Sequence, residues 1–440
     1  MHRLRQIWIT IASSLWFVPL TMVGGAIALG IAFTLVDFAI GDEWTQKRPV
    51  LFGVGADGAR GMLAAIAGSM ITVASLTFSL TISTLAITAS QYSSRLVRNF
   101  MRDRVNQFVL GYFVGLFAFC LVVLRSIRSG DDAQFVPPIA VLSGLLFALF
   151  SIIVLIIFIH HIAESIQASS ILRRVARETL DAIDDLFPSK VGDPAGQVAA
   201  RTPAPSAGEG AVEVLAGAFG YIQDVDAEGL LEVAQELDAV IIMRADVGDF
   251  VTGGGALCVV SPTRAPGDEG AERIRSAFNI GAVRTIEQDA AFGARQIVDI
   301  ALRALSPGVN DTTTAVMCVE HLSVALEALA DRQIPDRLRA ADGVVRLVAA
   351  SRSFDAFAAL CLDQIRESAA GNAAVLRALV RAIAAAGRRA GDPDRRAVLV
   401  RHAELVADLA QETLRPHERE PIRDLAAEAA AELKRPLKGS

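Results

Sequence analysis

Residues 138–159, PIAVLSGLLFALFSIIVLIIFI, decide the fold class of this chain. The stretch contains no charged side chain, and a helix of about 20 residues crosses the ~30 Å hydrocarbon core of a bilayer. Lipid offers no hydrogen bonds to the backbone, so an apolar run of this length is stable there only when its peptide groups bond within the helix. The stretch therefore predicts a membrane helix.

Three more apolar segments precede it, at residues 16–40, 62–90 and 108–124. The whole chain is 52% hydrophobic and only 20% charged, with a mean hydropathy of +0.43, which is more apolar than a typical soluble protein. The first segment follows a basic start, as a signal peptide does, but it is longer and lacks a cleavage site. We therefore expect a four-helix transmembrane domain over residues 1–165.

The distribution of lysine and arginine predicts the orientation of these helices, because cytoplasmic loops carry an excess of both. One side of the membrane would hold nine: Arg3, Arg5, Arg95, Arg98, Arg102, Arg104, Arg173, Arg174 and Arg177. The other would hold five: Lys47, Arg48, Arg60, Arg125 and Arg128. This bias places both termini in the cytoplasm of a bacterial cell, with the protein in the inner membrane.

The second segment is unusually rich in serine and threonine. At 100° per residue its hydroxyls form two stripes on opposite sides of a helix. The first stripe is Thr72, Ser79, Ser83 and Ser90, and the second is Thr77, Thr81, Thr84 and Thr88. Two readings stay open: hydroxyls that bond their own helix and allow close packing, or hydroxyls that line a pathway in an oligomer. No acidic or basic residue lies inside segments two to four, which argues against a proton relay through them.

The remainder of the chain predicts a soluble part in three stretches. Residues 166–210 read as a connecting helix followed by a linker rich in Pro, Gly and Ala. Residues 211–265 alternate short β-branched runs with glycine turns, which indicates a small α/β module. Residues 266–440 are mostly helical. The predicted fold is thus an α-helical membrane protein: four transmembrane helices, then a mixed α/β and mostly helical cytoplasmic domain.

One stretch of the soluble part concentrates polar groups around an amphipathic helix predicted from about Thr285 to Leu305. Its candidate ligand-binding or anion-binding residues are Arg284, Gln288, Arg295, Ser306, Asn310 and Asp311. Arginine and the free N–H groups at a helix start are suited to an anion. The alternative is a helical hairpin with a well-made turn and solvated charges.

Several function classes are not expected. A net charge of −6 argues against binding to nucleic acid. The four cysteines, Cys120, Cys258, Cys318 and Cys361, have no metal-binding or disulfide spacing. His160 and Glu164 lie one turn apart but lack a third metal ligand, so we read them as interfacial residues. We expect no cofactor and no metal site, and we find no catalytic constellation, so an enzyme is not expected.

Short residue patterns in both parts of the chain carry a resemblance to a known family. The resemblance rests on Ser75-Leu-Thr-Phe-Ser79 with Gln91-Tyr-Ser-Ser-Arg95, on Gly220-Tyr-Ile-Gln223 with Gly248-Asp-Phe-Val251, and on three short pieces further along. These are Arg284-Thr285 with Gln288-Asp289, then Arg295-Gln-Ile-Val-Asp299, and then Ala304-Leu-Ser-Pro-Gly-Val-Asn-Asp311. On these residues the chain resembles a bacterial family of predicted membrane proteins, domain of unknown function 2254. Members look to carry Pro after the Asn-Asp pair, where this chain has Thr312. The resemblance implies topology and an inner-membrane location, and it implies no activity.

Two functions follow as hypotheses. The first is a homo-oligomeric channel or transporter-like protein with a cytoplasmic regulatory domain, its pathway lined by the first hydroxyl stripe. The second is a membrane-anchored sensor or scaffold that binds an anionic ligand or a protein partner. The expected partners are therefore the lipid bilayer, further copies of the chain and a small anion or ion.

Overall fold

The fold is taken from a computed structural model. It describes residues 16–40, 55–91, 103–128, 135–165, 167–186, 210–262, 267–286, 288–332, 337–341, 343–350 and 353–435. The chain divides into two compact units, Met1–Ser170 and Ile171–Ser440. We call them the membrane unit and the second unit.

The membrane unit contains four long helices in its described residues. They are α1 (Phe17–Ile40), α2 (Ala56–Gln91), α3 (Arg104–Ser126) and α4 (Pro138–Ser165). Helices α2, α3 and α4 run beyond the apolar segments because helical residues at their ends are polar or charged, such as Asp57 and Arg60 at the start of α2. Helix α3 packs against all three others, and its core residues Phe113, Phe119 and Cys120 are fully buried.

The helices alternate in direction, as two polar contacts between helix ends show. Asp37, near the end of α1, accepts hydrogen bonds from the backbone N–H groups of Ile139 and Ala140 at the start of α4. Arg60, near the start of α2, donates to the carbonyl of Ile127 just after α3. Each contact pairs the end of one helix with the beginning of another, as in an up-and-down bundle.

The second unit begins with most of an amphipathic helix, α5 (Ala168–Leu186), whose buried face includes Leu172, Val175 and Ile183. Two small sheets follow. Their strands are β1 (Val212–Leu215), β2 (Gly220–Val225), β3 (Ala239–Met243), β4 (Phe250–Val251), β5 (Ala256–Pro262), β6 (Phe278–Gly281), β7 (Leu338–Ala341) and β8 (Val344–Val348). One sheet has the order β1-β5-β3-β8-β7 and the other β4-β2-β6.

Three of these strands, β6, β7 and β8, come from beyond residue 265, in the stretch that the sequence presents as mostly helical. Strand β8 pairs in parallel with β3, from which it is about 100 residues distant in sequence. That pairing draws the α/β part and the helical part into one unit. The glycines 253–255 form a turn between β4 and β5, as expected, with the Gly255 N–H bonded to the Thr252 carbonyl at 2.8 Å.

The remaining helices of the second unit surround and follow the sheets. They are α6 (Ala227–Glu236), α7 (Gly267–Ser276), α8 (Ala290–Ala304), α9 (Thr312–Asp331), α10 (Phe354–Ser368), α11 (Ala373–Arg389), α12 (Pro393–Thr413) and α13 (Pro416–Leu433). Five of these helices begin after a residue whose side chain accepts the backbone N–H group three residues further along. These N-cap residues are Asp226, Asp289, Asp311, Ser353 and Asn372. Helix α8 therefore begins at Ala290, five residues later than the sequence suggests, because the Asp289 carboxylate caps it.

The sequence predicts four helices of membrane-spanning length and apolar character, one fewer than the structure contains. Among the described residues, five helices are long and apolar enough to cross a membrane: α1, α2, α3, α4 and α9. Helix α9 was assigned to the soluble part because its apolar residues recur at helical spacing. In the second unit α9 packs against α8, α10 and α11, and it buries one face through residues such as Leu322 and Leu326.

Candidate functional site

The two hydroxyl stripes of α2 have different surroundings in the membrane unit. Thr77 and Thr84 of the second stripe are 1% and 3% exposed, because they face the other helices of the unit. Thr72, Ser79 and Ser83 of the first stripe are exposed. Ser90 belongs to the same helix, but its side chain lies outside the described residues.

The face that carries Thr72, Ser79 and Ser83 consists mainly of small residues. On a helical projection the exposed residues within about 60° of Thr72 include Gly61, Ala65, Gly68, Ser69, Ser75 and Ala86. A Cβ atom added at Gly61 or Gly68 would meet nothing within 4 Å. The exposed large apolar side chains in this arc are Leu76 and Ile87. We call this surface the outward face of α2, because it points away from α1, α3 and α4.

Several hydroxyls of α2 donate their hydrogen to the carbonyl four residues earlier. The distances are 2.8 Å from Ser69 Oγ to the Ala65 oxygen and 2.9 Å from Thr72 Oγ1 to the Gly68 oxygen. Ser75, Thr77 and Thr81 make the same bond. A hydroxyl bonded in this way presents only lone pairs to its surroundings. At Ser69, Thr72 and Ser75 the outward face therefore presents hydrogen-bond acceptors and no hydroxyl donors.

Helices α1 and α3 approach each other closely in the membrane unit. A Cβ at Gly111 would lie 2.7 Å from Met22 Sδ and 3.0 Å from Pro19 Cα, so no larger residue fits there without a shift. At Gly115 a Cβ would lie 3.3 Å from the Ala26 Cβ. Gly111 and Gly115 form a Gly-x-x-x-Gly pattern, a known signal for close helix pairing that our reading of the sequence missed.

Asp37 is the acidic residue that the sequence reading overlooked in segment one. It is buried, and its two carboxylate oxygens lie 3.1 Å from the Ile139 nitrogen and 3.0 Å from the Ala140 nitrogen. These N–H groups belong to the first turn of α4, where backbone N–H groups have no carbonyl partners within the helix. An acidic residue inside an apolar segment indicates a buried polar contact, because a buried carboxylate requires a hydrogen-bonding or charged partner.

In the second unit, Arg284 forms an ion pair with Asp289 at the start of α8. Arg284 Nε lies 2.8 Å from Asp289 Oδ2, while Asp289 Oδ1 accepts the backbone N–H of Phe292. The Arg284 guanidinium also lies over the Phe292 ring, 5.1 Å from its centre. Its charge is therefore matched within the unit, and the Asp289 side chain is only 3% exposed.

Glycine at position 248 is required by this ion pair. Its φ angle is +86°, and a Cβ there would clash with Asp289 Oδ2 and lie 2.6 Å from Arg284 Nη2. The Gly248 N–H donates to the Ile222 carbonyl at 2.7 Å. Two parts of the sequence pattern, Gly248-Asp-Phe-Val251 and the Arg284–Asp289 stretch, thus meet in one place. Gln288 lies there as well, with its side-chain oxygen 3.4 Å from the Val225 nitrogen.

The other four candidate residues lie elsewhere along α8. Arg295 donates to the Gln364 side chain on α10. Ser306 and Asn310 lie in the turn after α8, where the Ser306 carbonyl accepts the Asn310 N–H at 2.9 Å. Asp311 accepts the N–H and the hydroxyl of Thr314 at 3.0 and 2.6 Å, and these bonds lower its carboxyl pKa. An α-helix rises 1.5 Å per residue, so Asp289 and Leu305 stand about 24 Å apart. The six candidates therefore occupy three places.

All four cysteines are unpaired and buried, and burial raises the pKa of Cys258 to about 12. Among the described residues, no group of three or more His, Cys, Asp or Glu side chains is arranged to hold a metal ion.

Comparisons with known proteins give the family. A model of predicted membrane proteins, domain of unknown function 2254, matches residues 12–385. The uncharacterised proteins Rv1290c of Mycobacterium tuberculosis and Mb1321c of Mycobacterium bovis are each 35% identical to this chain over 443 residues, covering 99% of it and 84% of the relative. No solved structure matches the chain. The chain therefore belongs to the family of predicted membrane proteins called domain of unknown function 2254.

Proposed function

We propose that this protein is a homo-oligomeric channel or transporter-like protein of the bacterial inner membrane, with a pathway lined by Thr72, Ser79, Ser83 and Ser90. The observation that carries the proposal is the outward face of α2. Its hydroxyls point away from the other helices of the membrane unit, whereas the second stripe is used for packing inside the unit.

The composition of the outward face supports contact with further copies of α2 rather than with lipid alone. Lipid tails gain nothing from hydroxyl groups, and small residues leave grooves that tails fill poorly. A second helix can approach such a face closely, since Gly61 and Gly68 leave open space beside the backbone. In a ring of copies the faces would turn toward a common axis and surround it with hydroxyl oxygens.

The direction of the hydroxyl bonds favours one class of permeant species. Thr72 has already donated its hydrogen to Gly68, so its oxygen presents lone pairs to the pathway. Lone pairs suit a cation or the hydrogens of water, and they repel an anion.

The proposed membrane topology is the one that the sequence predicts. We place α1 to α4 across the membrane and both termini in the cytoplasm, on the basis of the arginine distribution. We keep α9 in the cytoplasmic part, because its neighbour α11 carries the exposed arginines Arg381, Arg388 and Arg389, which hydrocarbon would not accept.

The alternative function, an anion-binding sensor, has less support from the geometry. The guanidinium of Arg284 faces Asp289, and the carboxylate of Asp311 occupies the N-terminus of α9, where an anion would otherwise bind. An anion would have to displace a carboxylate at either place.

The proposal is tested by reconstituting the full-length protein in planar bilayers and recording current across voltage, tension and pH. Replacing Thr72, Ser79 or Ser83 with Leu should abolish or alter the conductance. The matched controls are Ile71→Leu and Phe78→Leu, which change exposed apolar residues on the flank of the same helix and should leave the current unchanged.

Size-exclusion chromatography with light scattering gives the second measurement, the oligomeric state in mild detergent. A monomer at all concentrations, or bilayers that stay silent under every condition, would show that the outward face has another role.

A further inference from the structure

A second polar region lies in the membrane unit, where α3 begins and α4 ends. The Asp103 side chain is only 6% exposed, although the residue precedes the apolar segment. Its Oδ1 atom accepts the Val105 N–H at 2.9 Å and caps α3. Its Oδ2 atom lies 2.7 Å from His161 Nε2 on α4. The structure thus buries an acidic group that the segment boundaries had left outside the bundle.

Asn106 lies one turn further along α3 and is 2% exposed. Neither its Nδ2 nor its Oδ1 atom has a hydrogen-bond partner among the residues that the structure describes. Asp103 is the N-cap of α3 and Asn106 is the third residue of the helix, two positions whose side chains lie near each other at a helix start. A buried amide that leaves both its donor and its acceptor unused is costly, and native proteins satisfy such groups with water or a ligand.

The chemistry of the amide restricts what can satisfy it. A cation would bond only to Oδ1, and an anion would bond only to Nδ2. Water donates and accepts at once, and it needs two to four polar partners to remain in a buried site. The neighbouring carboxylate of Asp103 supplies a further acceptor.

We propose that Asn106 binds ordered water inside the membrane unit, and that this water forms a proton-exchange site with the Asp103–His161 pair. The proposal is independent of the outward face of α2.

The His161 side chain is 23% exposed, so it connects the buried groups to solvent. In the exchange step, His161 Nδ1 forms an N–H bond with a proton from hydronium, which leaves as water. The resulting imidazolium keeps its Nε2–H bond to the Asp103 carboxylate. The other charged groups nearby, Arg104 on α3 and His160 and Glu164 on α4, are exposed to solvent.

Asp103, Asn106 and His161 lie outside segments two to four, so the site is compatible with the expectation that no proton relay runs through them. It would load or release a proton at one end of the unit.

The test uses full-length protein with ¹⁵N-labelled histidine in nanodiscs. The ring signals of His161 are assigned by their loss in His161→Asn and are followed across pH. Asn106→Leu removes the water site, and we expect it to move the pH midpoint of the His161 signal by about half a pH unit or more. Ser151→Ala, which changes another buried polar residue of the unit, should leave the midpoint where it is.

An unchanged midpoint in Asn106→Leu would overturn the proposal. If that variant does not fold, a high-resolution density map of the wild-type protein decides. Ordered density within hydrogen-bonding distance of both Asn106 amide atoms supports the site, and an empty space beside them refutes it.

Discussion

Asp37 offers the sharpest prediction about stability, because one side chain holds the end of α1 against the start of α4. Asp37→Asn keeps the shape of the side chain but replaces one acceptor oxygen with an NH₂ group. That group faces a backbone N–H of Ile139 or Ala140, so one of the two hydrogen bonds, at 3.1 and 3.0 Å, becomes a donor–donor contact.

The magnitude follows from the two terms that are lost. A hydrogen bond to a charged group contributes about 1.5–3 kcal/mol. A negative charge at a helix N-terminus contributes about 0.3–1 kcal/mol, and more when it is partly buried. We therefore expect Asp37→Asn to lower the free energy of unfolding of the membrane unit by about 2–4 kcal/mol, which is a factor of about 30 to several hundred in the equilibrium constant.

Steric trapping in bicelles measures this free energy without denaturant. Thr34→Val on the same helix is the matched control. Its hydroxyl bonds only to the Gly30 carbonyl of its own helix, so its loss should cost about 1 kcal/mol or less. A cost for Asp37→Asn no larger than that of the control would refute the view that Asp37 joins the two helices.

Three further outcomes are expected. Gly248→Ala should lower the melting temperature of the second unit, because the clash and the positive φ angle cost about 2–4 kcal/mol of the free energy of unfolding. The control Gly254→Ala should have little effect, because a Cβ atom there would meet nothing within 4 Å. Gly111→Val should separate α1 from α3 and reduce the yield of folded protein in detergent, and Gly24→Val, in open space on α1, should not. Burial lowers the pKa of His402, so as pH falls the unfolded chain protonates this imidazole before the folded chain does. The contribution of His402 to the stability of the second unit is therefore fully present above pH ~6.5 and is lost as pH decreases below that value. A His402→Gln variant should show a flatter pH profile in thermal unfolding.

Much of the membrane unit could be predicted because hydrocarbon imposes a simple rule. An apolar run that is long enough to cross the bilayer is stable there as a helix, and the positions of α1 to α4 follow from this. The two stripes of α2 also follow from helical spacing alone. Which stripe is buried does not, because that depends on where α3 and α4 pack.

The missed features depend on partners distant in sequence. Asp37 meets residues about 100 positions away, and Asp103 meets His161 on another helix. Strand β8 joins a sheet whose other strands mostly lie before residue 265, and a short apolar run alone does not reveal that pairing. The candidate residues around α8 are close in sequence, but the length of the helix separates those before it from those after it. They therefore do not form one site.

The bonds that the α2 hydroxyls make within their own helix have a consequence for how the protein is made. A serine or threonine whose hydrogen is already bonded to its own backbone leaves no bare donor in lipid, so a newly inserted chain can remain in the bilayer as a single copy. Assembly of the proposed oligomer would then follow insertion as a separate step governed by the number of copies in the membrane. A cell could therefore set the fraction of assembled protein through expression level alone.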